Sequence, residues 1–215
     1  EYRKKLGFEL AKEADLEADL VVPVPDSGVP AALGYAEKSQ KKFELGLIRN
    51  HYVGRTFIEP TQNIRSLGVK LKLSSTKTIV QNKSIILIDD SLVRGTTSHK
   101  IVKMLYEAGA KEVHVRIACP EIKYPDFYGV DMPTKDELLA NKKDIKEMCA
   151  HINAKSLKFL SLEGLYKALT GDIRNINYPQ FSDHYFTGDY PVKPTDNLEG
   201  LKIKQLSLLS GKSNN

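Results

Sequence analysis

At 215 residues the chain can bury one good core, and its make-up (41% apolar, 27% charged) is that of a soluble globular protein, with no apolar run near membrane-span length and no signal-peptide pattern at its start. The net charge of +5 could serve nucleic acid, but Lys and Arg are scattered among acids rather than forming one block, and an anionic small substrate explains the excess equally well. Two cysteines, Cys119 and Cys149, without a Cys-x-x-Cys exclude a disulfide scaffold or zinc ribbon and point to a reducing, cytoplasmic setting; the five histidines show no metal-ligand spacing and read as structural or surface groups.

The chain opens Glu1-Tyr2-Arg3 without an initiator Met, as expected of a piece of something longer. A helix is expected through about Leu6–Glu17, then an apolar strand over Leu20–Val24. Pro25-Asp26-Ser27-Gly28 is a turn signal, and Val29–Ala36 reads as a helix with Pro30 tolerated in its first turn. A second strand is expected over Phe43–Ile48. Residues 49–70 carry Arg49, Arg55, Arg65 and Lys70 with Gly54, Pro60 and Gly68 and little periodicity, which reads as a long basic loop. Thr78-Ile79-Val80 reads as a short strand. Val113, Val115 and Ile117 alternate with His114 and Arg116, as in a partly exposed strand. Residues 134–169 look helical in pieces: Lys135–Ala140, Asp144–His151 and Leu162–Leu169. From Gly171 onward Pro, Gly, Asn and Asp dominate, and the end reads as frayed. Strand–helix–strand occurring twice predicts an α/β fold with a doubly wound parallel sheet. The domain is expected over 1–170, with a helical C-terminal extension over 171–215 packing on it.

The richest stretch is Ile85-Ile86-Leu87-Ile88-Asp89-Asp90-Ser91-Leu92-Val93-Arg94-Gly95-Thr96-Thr97-Ser98. Four β-favouring apolar residues suit a strand buried on both faces. Two carboxylates follow where that strand ends, then a small-residue loop, then an amphipathic helix with Ile101, Val102, Met104, Leu105 and Ala108 on one face and Gly109 as its stop. Free N–H groups and the positive end of a helix favour a phosphate, and carboxylates in the same crevice can accept hydrogen bonds from sugar hydroxyls. Asp26-Ser27-Gly28 offers a similar strand–helix junction, although a plain turn with Ser27 as cap also accounts for it. The basic loop from Arg49 could neutralise a polyphosphate or be a solvated charged loop. An ordinary turn, with Asp90 or Ser91 as helix cap and Asp89 solvated, is the plain alternative for the acidic pair.

The string IILIDDSLVRGTTS resembles the phosphoribosyl pyrophosphate (PRPP) signature of type I phosphoribosyltransferases. The blocks VPVPDSGVPAALGYA, LGLIRNHYVGRTFIEPTQNIRSLGVKLKL, DDSLVRGTTSHKIV, GAKEVHVRIACP, YPDFYGVDMPT, LSLEGLYKAL and YFTGDYP are together similar to amidophosphoribosyltransferases, over about Leu6 to Pro194. The resemblance implies a type I phosphoribosyltransferase fold and a pentosyltransferase that displaces pyrophosphate from PRPP with glutamine-derived ammonia, giving phosphoribosylamine at the first step of purine synthesis. It implies an N-terminal glutaminase domain that is absent from this chain. It further implies purine nucleotides as feedback inhibitors, a homodimer or homotetramer, and neither a nucleic-acid nor a membrane partner.

By the same resemblance Asp89 and Asp90 hold the ribose hydroxyls near the developing cation, and Mg²⁺ sits with Ser27, Asp89 and Asp90. The backbone amides of Ser91, Leu92, Val93, Arg94, Gly95, Thr96 and Thr97, with the Thr96 and Thr97 hydroxyls, grip the 5′-phosphate. Asp26, Ser27 and Gly28 face pyrophosphate, and Arg49 contacts a nucleotide phosphate. Residues 50–70 close over the complex and deliver Arg55 and Lys72 as catalytic charges. Some members hold an iron–sulfur cluster through cysteines where this chain has Asp126, Ser182 and Tyr185. These cannot supply a thiolate set, so no cluster is expected. Two other readings stay open: a salvage phosphoribosyltransferase acting on a nucleobase, and a non-catalytic nucleotide- or RNA-binding regulator on the same fold. Asp89 and Asp90, placed at a strand end, are expected to matter little to stability.

Overall fold

The computed structural model describes residues 1–49, 73–130, 134–177 and 179–192. In chain order the described elements are α1 (Tyr2–Ala14), β1 (Leu20–Pro23), α2 (Val29–Ser39), β2 (Lys42–Phe43), β3 (Leu47–Arg49), β4 (Leu73–Ser75) and α3 (Lys77–Val80). Then come β5 (Ser84–Asp89), α4 (Thr96–Glu107), β6 (Glu112–Ile117), a 3₁₀ turn (Lys135–Glu137), α5 (Leu139–Lys142), α6 (Ile145–His151), β7 (Ser156–Phe159), α7 (Leu162–Thr170) and α8 (His184–Thr187).

Five strands form a parallel sheet in the order β2-β1-β5-β6-β7. Alternate residues of each central strand feed two cores. On one face Val21, Ile86 and Ile88 pack under α1 and α2 through Leu10, Ala11, Ala31 and Tyr35. On the other, Val22, Ile85, Leu87, Val113 and Val115 pack under α4 and the 139–152 segment through Ile101, Leu105, Leu139 and Met148. Helices on both faces explain why β1 and β5 read as unbroken apolar runs. The helices α1 and α2 cross closely enough that a Cβ on Gly7 would overlap the Ala31 carbonyl, and one on Gly34 the Lys4 carbonyl.

The structure corrects several expectations. Thr78–Val80 is the body of the short helix Lys77–Val80, not a strand. The strand here is Leu73–Ser75, paired antiparallel with Leu47–Arg49. The expected Phe43–Ile48 strand is divided between two sheets. Gly46 N–H turns back to the Glu44 carbonyl at 3.0 Å, and a side chain at Gly46 would press on Val22 and Val80. The β6 strand is not partly exposed: His114 is 7% and Arg116 4% accessible. Beyond it lies β7, which the sequence reading missed, and the last turn of α1 meets β6 itself. Arg116 Nε donates to the Ala14 carbonyl at 2.8 Å and Tyr35 Oη to the same carbonyl at 2.9 Å, so a buried cation and a phenol satisfy the C-terminus of α1. The helix expected over Lys135–Ala140 is a 3₁₀ turn followed by α5. The segment after α7 is pinned by Arg174, whose Nε donates to Asp183 Oδ2 at 2.5 Å while Tyr166 Oη donates to the same oxygen at 2.8 Å.

Candidate active site

The strand order reverses direction between β1 and β5. From β1 the chain crosses through α2 to β2 on one side, and β5 continues to β6 on the other. Pro23 lies opposite Ile88, so the turn after β1 and the acidic pair after β5 emerge side by side at the carboxyl ends of the strands. Such a switch point leaves a crevice where open α/β sheets bind ligands. The sheet itself therefore brings Asp26–Gly28 and Asp89–Thr97 together.

Asp89 is the last residue of β5 and is 9% accessible, so it is neither a solvated loop charge nor outside the core. Burial, and then the neighbouring Asp90 charge, push its carboxyl up to about 8. Its Oδ1 accepts the Asp90 N–H at 2.9 Å, and Ser91 Oγ donates to Asp90 Oδ1 at 3.1 Å. A cation beside the two carboxyls would favour the ionised form that burial and the neighbouring charge disfavour. Asp89, Asp90 and the Ser27 hydroxyl are hard oxygen donors of the kind that could hold Mg²⁺, an ion bound by one or two carboxylates that completes its shell with substrate oxygens. Among the described residues no group of three His, Cys, Asp or Glu could hold a metal without such help.

Neither Asp90 nor Ser91 caps the following helix. The N-cap of α4 is Gly95, left-handed at φ 76° and without a side-chain cap. The N–H groups of Val93 to Thr97 donate to no backbone carbonyl among the described residues, which leaves an open donor cradle at a 12-residue helix. Thr96 and Thr97 are exposed beside it. Two side chains of the expected phosphate loop point elsewhere, which leaves the expected backbone contacts untouched. Leu92 is buried in the core at 3%, and the Arg94 side chain lies on Glu137 at 3.1 Å.

Across the crevice, Gly28 is the N-cap of α2, so Ser27 is not its cap. A Cβ on Gly28 would stand 2.6 Å from the Ile88 carbonyl oxygen and 2.8 Å from that of Val24. Glycine is required here because the turn presses on the strand ends. Arg49 ends β3, and its Nη1 donates to Asp26 Oδ2 at 2.5 Å, while its Nε is buried with no hydrogen-bond partner among the described residues. Ser27, Asp90 and Ser91 line one side of a cavity of about 320 Å³, with Cys119, Val130 and Tyr185 among its other walls. Arg55, Lys72 and the rest of the basic loop lie outside the described residues.

Asp126, Ser182 and Tyr185 converge on His184, a residue the sequence reading left as structural. Asp126 Oδ1 accepts from His184 Nε2 at 2.9 Å and from Tyr185 Oη at 3.0 Å, and Ser182 Oγ reaches His184 Nδ1 at 3.1 Å. Burial would raise the Asp126 carboxyl, but the N–H groups of Val130 and Tyr128, with His184 and Tyr185, outweigh it and hold it at about 2. This set of carboxylate, imidazole and hydroxyls does not fit an iron–sulfur cluster, which needs thiolates. The aromatic-dense blocks around residues 124–130 and 184–190 were the available signal for this network.

Comparison with known proteins agrees with this geometry. The family profile described as phosphoribosyl transferase domain matches residues 4–127. Amidophosphoribosyltransferase from Rhizobium etli is 57% identical over 209 residues, 97% of this chain and 42% of that protein. A chloroplastic amidophosphoribosyltransferase of Glycine max is 52% identical over 208 residues, 97% of this chain and 35% of its own length. Among solved structures, the glutamine PRPP amidotransferase of B. subtilis complexed with ADP and GMP matches with a TM-score of 0.78 at 49% identity, over 88% of this chain and 42% of that one. The chain thus spans about two fifths of the length of such relatives. With the profile covering more than half of it, and the acidic pair and an open helix N-terminus following β5 at the switch point beside the turn after β1, the chain belongs to the phosphoribosyltransferase family.

Proposed function

We propose that this chain carries the phosphoribosyl-transfer step of an amidophosphoribosyltransferase: ammonia displaces pyrophosphate from C1 of PRPP, giving 5-phosphoribosylamine, the first committed intermediate of purine nucleotide synthesis. The observation that carries this reading is the β1–β5 register, Pro23 against Ile88, which sets a diphosphate-facing turn beside an acidic pair and an open helix N-terminus. Those are the three functions PRPP demands of a site.

The transition state places positive charge on the ribose and negative charge on the leaving group, so catalysis is mainly positioning and charge stabilisation. Asp89 and Asp90 accept the ribose hydroxyls and lie near the developing cation. The amides of Val93–Thr97 and the Thr96 and Thr97 hydroxyls hold the 5′-phosphate. Asp26, Ser27 and Gly28 face the pyrophosphate, with Arg49 as a cation beside them and a contact for a nucleotide phosphate. Ser27, Asp89 and Asp90 would hold Mg²⁺, which would supply neutralisation of the leaving group. Arg55 and Lys72 are assigned the remaining positive charge near pyrophosphate.

In this reading the ammonia comes from glutamine, hydrolysed on a separate glutaminase domain. ADP and GMP, named with the B. subtilis relative, suggest purine nucleotides as inhibitors here, acting on a homodimer or homotetramer. The setting proposed is cytoplasmic; among the described residues no helix is long and apolar enough to cross a membrane. The test measures pyrophosphate release from PRPP and Mg²⁺ with ammonia, with adenine or guanine, and with no acceptor. Release with ammonia alone is expected. Release only with a nucleobase would replace this reading with the salvage one, and no release at all, despite PRPP binding, with the regulator.

A further inference from the structure

The loop assigned to the 5′-phosphate is held from outside by the segment between β6 and β7. Leu139 N–H donates to the Val93 carbonyl at 2.9 Å. Arg94 lies against Glu137 Oε1, with Nη2 at 3.1 Å and Nε at 3.3 Å. Gly95 sits so close to this segment that a Cβ would stand 2.8 Å from Leu139 Cδ2 and 3.2 Å from His151 Cδ2. One turn into α4, His99 Nδ1 is 3.0 Å from the His151 carbonyl oxygen. Glu137 is itself fixed, because its Oε2 accepts from Thr134 N–H at 3.2 Å and from the Thr134 hydroxyl at 3.3 Å, closing a capping box.

These contacts fall on successive loop residues while leaving the N–H groups of Val93–Thr97 free. A cradle of amides binds a phosphate well only if its shape is set before the ligand arrives, since ordering it on binding costs affinity. Apart from the buried Leu92, the loop has no side chain of its own in the core, so the outer segment supplies that order.

We propose that residues 134–152 brace the phosphate loop, and that Arg94 is a positioning residue acting through Glu137, not a ligand of the phosphate. This rests on the reading that the loop holds the 5′-phosphate. The side chain belongs to the brace, and only the Arg94 backbone N–H belongs to the cradle.

The experiment compares the full chain with Arg94→Glu, Glu137→Arg, the exchanged pair Arg94→Glu/Glu137→Arg, and Glu137→Gln, all checked as folded by thermal melting. Ribose 5-phosphate binding is measured by calorimetry, which needs no turnover, beside KM for PRPP and kcat with ammonia. Each charge reversal is expected to weaken ribose 5-phosphate binding and raise KM for PRPP about three- to tenfold, with a smaller change in kcat. The exchanged pair is expected to return most of that loss. Glu137→Gln keeps an acceptor for Thr134 while removing the charge, and is expected to weaken binding about twofold. Arg94→Glu unrelieved by the exchange would make Arg94 a direct ligand and overturn the brace, as would unchanged binding in every single variant. Failure of the unaltered chain to bind ribose 5-phosphate is a different result, and would remove the phosphate site itself together with its brace.

Discussion

Asp126 Oδ1 stands 2.9 Å from His184 Nε2, and both side chains are 1% accessible. This contact ties the loop after β6 to α8, and through Tyr185 it fixes one wall of the cavity that Asp90 and Ser91 open into. The Asp126 carboxyl is held at about 2, below its ordinary value. A depressed carboxyl contributes stability that is present above the unfolded value and is lost as pH falls from about 4 toward about 2. Asp126→Asn is therefore expected to lower the melting temperature by about 5 °C near neutrality, and the gap from the unaltered chain should close at pH 2–3. A gap that stays constant down to the acid limit would mean the carboxylate charge plays no part.

Asp89 has the opposite sign. Its folded carboxyl is raised to about 8. The neutral form is favoured on folding, so its contribution is fully present below the ordinary carboxylate value and is lost as pH rises through about 8. The slope approaches about 1.4 kcal/mol per pH unit. Asp89→Asn should leave stability at pH 4 nearly unchanged and raise that of the ligand-free chain at pH 8–9. Turnover should fall about 10²- to 10³-fold in both Asp89→Asn and Asp90→Asn. Denaturant melts at the two pH values check the first claim and initial rates the second. The expectation that neither acid matters to stability thus holds no longer for Asp89, whose strand end is covered.

The sheet, the acidic pair and both site loops were legible because local signals agreed: apolar runs for strands buried on both faces, then Gly and small residues at strand ends. The strand Ser156–Phe159 was missed because only Leu157 of its four residues is fully buried, which leaves a weak pattern inside a helical stretch. Arg116 and His114 misled because polar alternation usually marks solvent, whereas here the end of α1 and the Ser156 hydroxyl receive them. Arg94 was placed in the expected phosphate loop through its backbone, and the sequence named no partner for its side chain. Its partner Glu137 is 43 residues away, and no local pattern reveals such a pair.

Glutamine chemistry is not expected of this chain. A thiolate is the nucleophile such hydrolysis needs, and burial pushes up both thiols present, with the Asp90 and Asp89 charges adding to the effect at Cys119. Incubation of the pure chain with glutamine should release no glutamate above a blank. Stoichiometric or faster release, abolished by a thiol reagent, would show that the chemistry has been misplaced.

Arg49 links β3 to the turn after β1 through Asp26, the turn proposed to face pyrophosphate. Arg49→Gln removes a charge-assisted hydrogen bond and a cation, and should raise KM for PRPP about tenfold. Inhibition by GMP should weaken in parallel, because one cation serves both anions. Weaker GMP inhibition with an unchanged KM for PRPP would confine Arg49 to nucleotide.

The most direct measurement follows the new bond itself. The chain is supplied with PRPP, Mg²⁺ and ¹⁵N-ammonia, and ribose C1 is observed by NMR while pyrophosphate is counted. A C1–¹⁵N bond should form in step with pyrophosphate release, and both should fall together in Asp89→Asn and Asp90→Asn. Pyrophosphate release without C1–¹⁵N bond formation, or bond formation undiminished in both variants, would contradict transfer to ammonia at the acidic pair.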